Sequence, residues 1–479
     1  RKKRMDWNNN PLESLEPVKV ARRVLRDYFT GSTGHQGLYR WRGEFWYWDG
    51  DQWKILREDE IREKSLLILE DAVWEQMTAN GPVIRRYAPD KNKIEGVVVA
   101  LEALCRLNKE QAPCWIVPQT NPIDPMHCIA FKDCIVDVKN SDTDDWATVP
   151  RDQRWFDTSV VPYSVNIDAE CPRWMKALDE WGGGDPEWAR LLQQWFGYCL
   201  MGTRKYAKWL LMYGKIRGGK GTICNVLKQL TGPTTYLSTS LEDLANEFGL
   251  DGMELSKVLS ISEVSEIDSK SGERVCRILK NIVGRDPMTV NVKYRRQLRN
   301  VVVGAAPLMQ SNEIPVLPNK GRGLSGKMLV LPFDVSFEGR EDFDLDADLA
   351  KEIPGIAAWA VRGAIELEAS SRDDKWPTPA AAKNAIRLYH LQNNPFDSFL
   401  EARFIRNEKG FTANEIVRGQ WESWLRANKV KMHVPRNMLI QRVVQDCSWD
   451  LRQTRLSMNE GHHRGVSGMT LKREYDDEH

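Results

Sequence analysis

The sequence lacks long apolar runs and paired cysteines. No stretch approaches the roughly 18 apolar residues of a membrane-spanning helix, and the N-terminal "RKKRMDWNNN" has no apolar region like that of a signal peptide. The nine cysteines are scattered without a Cys-x2-Cys pair, which argues against a zinc ribbon and favours reduced thiols. We therefore expect a cytoplasmic protein without disulfides and without a membrane partner.

The sequence also has almost no net charge. Its 68 lysine and arginine residues nearly balance 67 aspartate and glutamate residues, so a nucleic-acid site requires local clustering of cations. With 479 residues, 42% of them hydrophobic, the chain can bury several cores and is expected to be multidomain. Because it begins with Arg1 rather than Met, we expect it to be a fragment of a longer protein.

A glycine-rich loop is the clearest motif in the chain. The apolar "KWLLMY" before it predicts a strand, and "ICNVLKQLTG" after it predicts a helix that ends at Gly232. In the intervening "GKIRGGKGT" the spacing Gly-x4-Gly-Lys is complete. Such a loop directs backbone N–H groups and a helix N-terminus at phosphate, whereas the alternative is a simple turn with a surface lysine. The predicted ATP-binding residues are Gly214, Gly218, Gly219, Lys220, Gly221 and Thr222.

The position after the lysine departs from the usual pattern. A Ser or Thr hydroxyl normally binds Mg²⁺ there, but this chain has Gly221, and the first hydroxyl comes at Thr222. The predicted Mg²⁺ ligands are Thr222 and Glu263, with an intervening water as one arrangement.

Two polar residues follow apolar segments downstream of the loop. In "SKVLSISEVSE", Glu263 comes at the exit of a predicted strand, where it could polarise an attacking water or hold Mg²⁺. In "NVVVGAAPLMQSN", Asn312 ends the next predicted strand, where its amide could orient that water against the γ-phosphate. Both residues are therefore candidate catalytic residues.

A basic segment lies between those two strands. In "GRDPMTVNVKYRRQLRNVVV" the alternating residues predict a hairpin that carries its cations near the tip. Cations on a projecting hairpin suit a phosphate backbone, although a solvated basic face is the alternative. The predicted DNA-binding residues are Lys293, Arg295 and Arg296.

The order of these segments resembles the superfamily-three helicases of the phage, plasmid and poxvirus primase-helicase type. The resemblance rests on "GKIRGGKGT", "VLSISEVSE", "GRDPMTVNVKYRR", "LMQSNEIP" and "GRGLSGKMLVLPF", and it covers roughly residues 125–370. It implies a homo-hexameric AAA+ ATPase that moves on single-stranded or forked DNA, with a primase domain or protein upstream. In that family the loop binds ATP, the acid activates water, the Asn is a sensor and the basic hairpin grips the strand. The matching residues are Lys220, Glu263, Asn312, Lys293, Arg295 and Arg296.

The resemblance also implies a cation that reaches into the neighbouring subunit. The family commonly has an Arg finger where "GLSGKMLVLPF" has Lys327, and Arg322 lies five residues earlier. Lys lacks the planar fork of Arg, so the change could slow hydrolysis. Either Arg322 or Lys327 is expected to act as the finger.

The predicted fold class is α/β, with an AAA+ P-loop core and three further parts. A β-rich N-terminal accessory domain spans residues 1–150, with an aromatic hairpin at 38–56 and helices at 58–77 and 93–107. Its alternating aromatic residues favour one face of a small sheet, and base stacking is the alternative. A helical collar spans residues 151–205, the ATPase core 206–372, and a winged-helix-like domain, with helices first and short strands last, 385–479.

These observations predict an ATP-dependent hexameric DNA helicase, acting as the helicase module of a primase-helicase. The first alternative is a nucleotide phosphotransferase, because "GKGT" resembles the loop of nucleoside monophosphate kinases. The second alternative is a DNA-binding scaffold with a decayed ATPase, which Gly221 and Lys327 suggest. The basic hairpin inside the core favours the helicase.

Overall fold

The structure is a computed structural model of the chain. It describes residues 7, 9–31, 34–118, 123–158, 160–202, 206–262, 269–291, 297–315, 317, 323–370, 376–430, 432–458 and 461–473. Among these residues, no helix is both long and apolar enough to cross a bilayer.

The N-terminal part combines three helices with two small antiparallel sheets. Its elements are α1 (Pro17–Tyr28), β1 (Leu38–Trp41), β2 (Glu44–Trp48), β3 (Trp53–Leu56), α2 (Glu58–Leu69), β4 (Val73–Thr78), β5 (Gly81–Arg86) and α3 (Lys91–Leu104). The predicted aromatic hairpin is confirmed, since Trp48 pairs with Trp53 across the turn. Trp41, Trp46 and Trp53 are at most 5% exposed, so these rings form a core and are not free to stack on bases.

The helix predicted at 58–77 is wrong in its second half. Helix α2 ends at Leu69, and residues from Val73 form strand β4. This strand pairs with β5, beginning at Val73 opposite Arg86. Pairing with a partner further along the chain therefore overrides the helical periodicity of the segment.

A middle part links the N-terminal elements to the core. It contains β6 (Cys114–Trp115), β7 (Cys128–Ala130), β8 (Cys134–Asp137), β9 (Thr148–Pro150), β10 (Trp155–Phe156), α4 (Pro172–Gly182) and α5 (Pro186–Leu200). Helices α4 and α5 lie within the segment predicted as a helical collar. Helix α4 ends at Gly182 and is followed by Gly183, whose φ of 61° suits glycine. Asp185 caps α5 by accepting from the Glu187 N–H at 3.0 Å.

The core is built on a five-stranded parallel sheet. Its elements are β11 (Trp209–Gly214), α6 (Lys220–Thr231), β12 (Tyr236–Thr239), α7 (Leu241–Ala245), β13 (Val258–Ile261), α8 (Ser269–Gly284), β14 (Met288–Val290), β15 (Leu298–Val301), β16 (Ala306–Ser311), β17 (Met328–Phe333), α9 (Leu345–Lys351) and α10 (Ile353–Ala369). The sheet order is β12-β13-β16-β11-β17, and every neighbouring pair is parallel. The predicted strand, loop and helix around the glycine motif are confirmed.

Helices cover both faces of this sheet. Alternate residues of β11 point to opposite faces, so Leu210 packs in the cluster that contains Leu227 of α6, whereas Leu211 packs with Leu279 of α8. Burial of each such side chain contributes about 1.5–3 kcal/mol. Because both faces are covered, the functional groups of the core are confined to the ends of the strands.

The C-terminal part has its own core. Its elements are α11 (Ala382–Asn393), α12 (Pro395–Arg403), β18 (Phe404–Ala413), α13 (Asn414–Asn428), α14 (Leu439–Asp446), β19 (Arg452–Met458) and β20 (Gly461–Leu471). The prediction of helices followed by short strands is only partly right. Strand β18 precedes α13, and β20 pairs with both β18 and β19. Phe399, Trp421 and Trp424 pack between the helices and this sheet.

Candidate functional site

The candidate site lies at the carboxyl edge of the parallel sheet. Strands β11 and β16 are neighbours, with Tyr213 opposite Ser311. The loop that follows β11 and the Asn312 that follows β16 therefore begin side by side. Loops after neighbouring parallel strands form the usual ligand crevice of such sheets.

The glycine-rich loop fits closely against its surroundings. Gly214 has a φ of 138°, and a Cβ at this position would lie 2.2 Å from the carbonyl oxygen of Phe333. Gly219 has a φ of 101°, and a Cβ there would lie 2.5 Å from the indole ring of Trp181. Both positions therefore require glycine, in backbone conformation and in space. The loop is held between the end of β17 and helix α4.

Lys220 begins helix α6 and turns back over the loop. Its Nζ donates to the carbonyl oxygens of Gly214 at 2.9 Å and Lys215 at 2.7 Å. Burial lowers the pKa of this ammonium group. The first backbone N–H groups of α6 have no acceptor within the helix, so they are available to an anion at the same place.

A cleft of about 640 Å³ opens above the loop. This volume lies within the range of small-molecule sites. Both Thr222 and Asn312 line it, together with Gly218, Gly219, Lys220 and Gly221. The structure thus brings together most of the predicted ATP-binding residues and the predicted sensor.

The far wall of the cleft consists of residues that the sequence did not point to. Those from α4 are Arg173, Lys176, Glu180 and Trp181, and those from the segment after β17 are Phe337, Arg340, Glu341 and Asp342. Arg173 donates to Asp342 at 2.8 Å, and this hydrogen bond lowers the pKa of the carboxyl group. Helix α4 is itself fixed by Glu352, which accepts from the N–H groups of Arg173 and Trp174 at 3.0 and 2.9 Å. No local pattern marks these residues, because only tertiary packing brings them to the loop.

The groups present suit a nucleoside triphosphate. Backbone N–H groups at a helix start, Lys220 and the cleft-lining Arg340 offer donors and positive charge to phosphate oxygens. Among the residues that the structure describes, Thr222 is the candidate Mg²⁺ ligand. Among the described residues, no group of three or more His, Cys, Asp or Glu is arranged to hold a metal.

Gly221→Ser should lower severalfold the Mg²⁺ concentration at which a nucleoside triphosphate half-saturates the cleft. A Cβ built at Gly221 meets no atom of the described residues within 4 Å, so the new hydroxyl has room at the position where such loops ligate Mg²⁺. Gly221→Ala is the matched control, because it adds the carbon without the hydroxyl. Identical Mg²⁺ requirements for the Ser and Ala variants would contradict a direct metal role for this position.

Several predicted residues lie outside the described part of the chain. These are Glu263, Lys293, Arg295, Arg296 and Arg322. The hairpin that should carry the cations is nevertheless confirmed in its strands. Strands β14 and β15 pair antiparallel, with Met288 opposite Val301 and Val290 opposite Leu298.

Lys327 lies at the opposite edge of the sheet from the cleft. It directly precedes β17, whereas Phe333 at the other end of β17 accepts a hydrogen bond from the Lys215 N–H at 2.8 Å. The strand between them spans roughly 20 Å at about 3.3 Å per residue. Lys327 therefore cannot reach the cleft of its own chain.

The comparisons with known proteins concern part of the sequence and the overall fold. Residues 212–323 match a family of unknown function, DUF5906. A comparison with curated protein sequences finds no match. Three apo structures of the NrS-1 C-terminal region are similar, with TM-scores of 0.54, 0.53 and 0.51 at 12%, 10% and 11% identity. Each similarity covers 95% of this chain and 100% of the other. At this identity the similarity concerns the fold.

Proposed function

We propose that the protein is an ATP-dependent DNA helicase that works as a homo-hexameric ring, with a P-loop core of the AAA+ type. The observation that carries the proposal is the cleft at the carboxyl edge of the sheet, where Lys220, Thr222 and Asn312 meet. ATP binds there with its phosphates on the loop and on the start of α6. Glu263 activates water, and Asn312 orients it.

The basic hairpin supports DNA as the partner. Strands β14 and β15 branch from the segment between the acid strand β13 and the sensor strand β16. Only residues 302–305 separate β15 from β16, so movement of β16 with the nucleotide state would reach the hairpin through a short connection. We assign Lys293, Arg295 and Arg296 to the phosphates of single-stranded or forked DNA.

The position of Lys327 supports a ring. If a cation at the amino edge of the sheet, roughly 20 Å from its own loop, acts on a cleft, that cleft belongs to another subunit. Arg322 is the second candidate for this role. In the same proposal, residues 151–205 act as a collar, residues 385–479 form a winged-helix-like domain, and a primase domain or protein acts upstream.

The proposal is tested by strand separation on forked DNA. Purified protein should separate the strands only with ATP and Mg²⁺, and Lys220→Ala should separate none. Forks with only a 3′ or only a 5′ tail must both be tested. A protein that hydrolyses ATP and binds DNA, yet separates neither substrate, would contradict the helicase function.

Single-stranded DNA affinity should fall with salt by about 0.7 log unit per phosphate contact per log unit of salt. Neutralising Lys293, Arg295 and Arg296 together should flatten that slope by about two units, with little dependence on DNA sequence. The matched control neutralises three exposed lysines elsewhere, namely Lys228, Lys351 and Lys383. An unchanged salt dependence in the hairpin variant would show that the DNA binds to another part of the chain.

A further inference from the structure

Gln310 is a second polar side chain on the central strand of the cleft. It lies one residue before the end of β16 and lines the same cleft as Lys220 and Asn312. The side chain is half-buried, so it faces the cleft without being freely solvated. An amide near the carboxyl end of a core strand is unusual among apolar neighbours, because β16 otherwise reads "APLM" up to this point.

Strand alternation places Gln310 on the face of the sheet that carries α6. Leu308, two residues earlier on β16, packs in the same core cluster as Ile223 and Leu227 of α6. Met309 packs in the cluster on the other face. Because the side-chain period of a strand is two, Gln310 and Leu308 share one face. Gln310 thus points to the side on which the glycine-rich loop and Lys220 lie.

The neighbouring strand holds the Gln310 amide. Its Nε2 donates to Ser260 Oγ on β13 at 3.4 Å. Ser260 is 1% exposed, and its hydroxyl also interacts with the Cys224 thiol on α6. Burial raises the pKa of Cys224 to about 11, so the thiol stays neutral. The amide is therefore attached at one end to a buried, uncharged pair that joins β13 to α6.

The other end of the Gln310 amide, Oε1, faces no bonding partner in the part of the chain that the structure describes. A carbonyl oxygen with an unused acceptor site at the edge of a phosphate cleft can accept a hydrogen bond from water. Because the amide group is planar and Nε2 contacts Ser260, Oε1 lies on the side away from Ser260.

We propose that Gln310 is a catalytic residue that orients the attacking water together with Asn312, and that Ser260 is its positioning residue. The inference rests on the proposed ATPase function and extends it. The water oxygen forms a bond to the γ-phosphorus, and the bond from that phosphorus to the β,γ-bridging oxygen breaks. A proton of the water passes to the Glu263 carboxylate, and the bridging oxygen leaves on ADP. Gln310 Oε1 accepts a hydrogen bond from the water throughout and exchanges no proton.

Gln310→Leu should lower kcat for ATP on the order of 10²-fold, the lower range for a group that positions a reacting proton. Its affinity for a non-hydrolysable ATP analogue should stay within about threefold, because the amide contacts water and not the nucleotide. Affinity for ADP with aluminium fluoride, which mimics the transferring phosphoryl group, should fall with kcat. If Gln310 served only to pack the core, its replacement would change the affinities for both ligands in the same way.

Ser260→Ala should lower kcat by a smaller factor, and Ser260→Thr, which keeps the hydroxyl, should restore it. Gln310→Asn keeps the amide on a shorter side chain, and it should resemble Gln310→Leu even if the Leu variant folds poorly. If the parent protein is active and a folded Gln310→Leu or Gln310→Asn variant keeps its kcat, the role of Gln310 is overturned and the proposed ATPase function is not. A parent protein that neither binds nor hydrolyses ATP would overturn the proposed function and this inference together.

Discussion

Lys220→Ala should weaken ATP binding roughly 10- to 100-fold, whereas Glu263→Gln should bind ATP normally and lose turnover. Charge-assisted hydrogen bonds are worth about 1.5–3 kcal/mol, and Lys220 is the half-buried ammonium beside the loop. Glu263 acts on water, so its loss is expected to lower kcat by about 10²–10⁴-fold without changing affinity. The two variants therefore separate binding from chemistry.

Equilibrium binding of a fluorescent ATP analogue and steady-state hydrolysis measure the two effects. Lys228→Ala is the matched control, because Lys228 lies exposed on the same helix, about 12 Å along α6 from Lys220. It should behave like the parent protein. Normal turnover by Glu263→Gln would show that Glu263 is not part of the active site. Normal ATP binding by Lys220→Ala would show that the glycine-rich loop does not bind ATP.

The second large effect concerns a site shared between subunits. A finger cation stabilises the charge on the transferring phosphoryl group and is worth on the order of 10³–10⁵ in rate. A variant with both Arg322 and Lys327 replaced by Ala should therefore be nearly inactive, although its loop is intact. Lys220→Ala subunits should also be inactive, although their finger cations are intact.

Mixing the two inactive proteins should restore part of the ATPase activity. In a mixed ring, an intact loop from one subunit meets an intact finger from its neighbour, so some complete sites form. Each variant alone serves as the control, and hetero-ring formation is checked with differently tagged subunits. If mixed rings form and remain inactive, both cations are surface charges and the cleft works within one subunit.

The strand, loop and helix of the site could be predicted from local sequence. Each element has a short-range signal: an apolar run for β11, glycines where the backbone needs positive φ, and helical periodicity for α6. The sensor strand β16 and the β14–β15 hairpin were predicted in the same way. Asn312 could be assigned only through its order in the chain, and the sheet register now places it beside the loop.

The remaining features depend on contacts between distant parts of the chain. Strand β4 has helical periodicity, and it forms a strand through its pairing with β5 and its bridge to Leu12. Trp181 and Arg173 reach the cleft because α4 packs against the segment after β17, more than 150 residues later. Gln310 was hidden inside a strand sequence, where its contact with Ser260 has no local signature. Sequence patterns report local structure and say little about which side chains meet across the fold.

ATP hydrolysis with and without single-stranded DNA is the most direct test of the central claim. We expect Mg²⁺-dependent release of phosphate that single-stranded DNA stimulates, and the loss of this activity in Lys220→Ala. Neutralising Lys293, Arg295 and Arg296 should remove the stimulation and leave the basal rate. Transfer of phosphate to a nucleoside monophosphate without any response to DNA would contradict the account in favour of a phosphotransferase. Absence of turnover in protein that binds DNA would contradict it in favour of a scaffold.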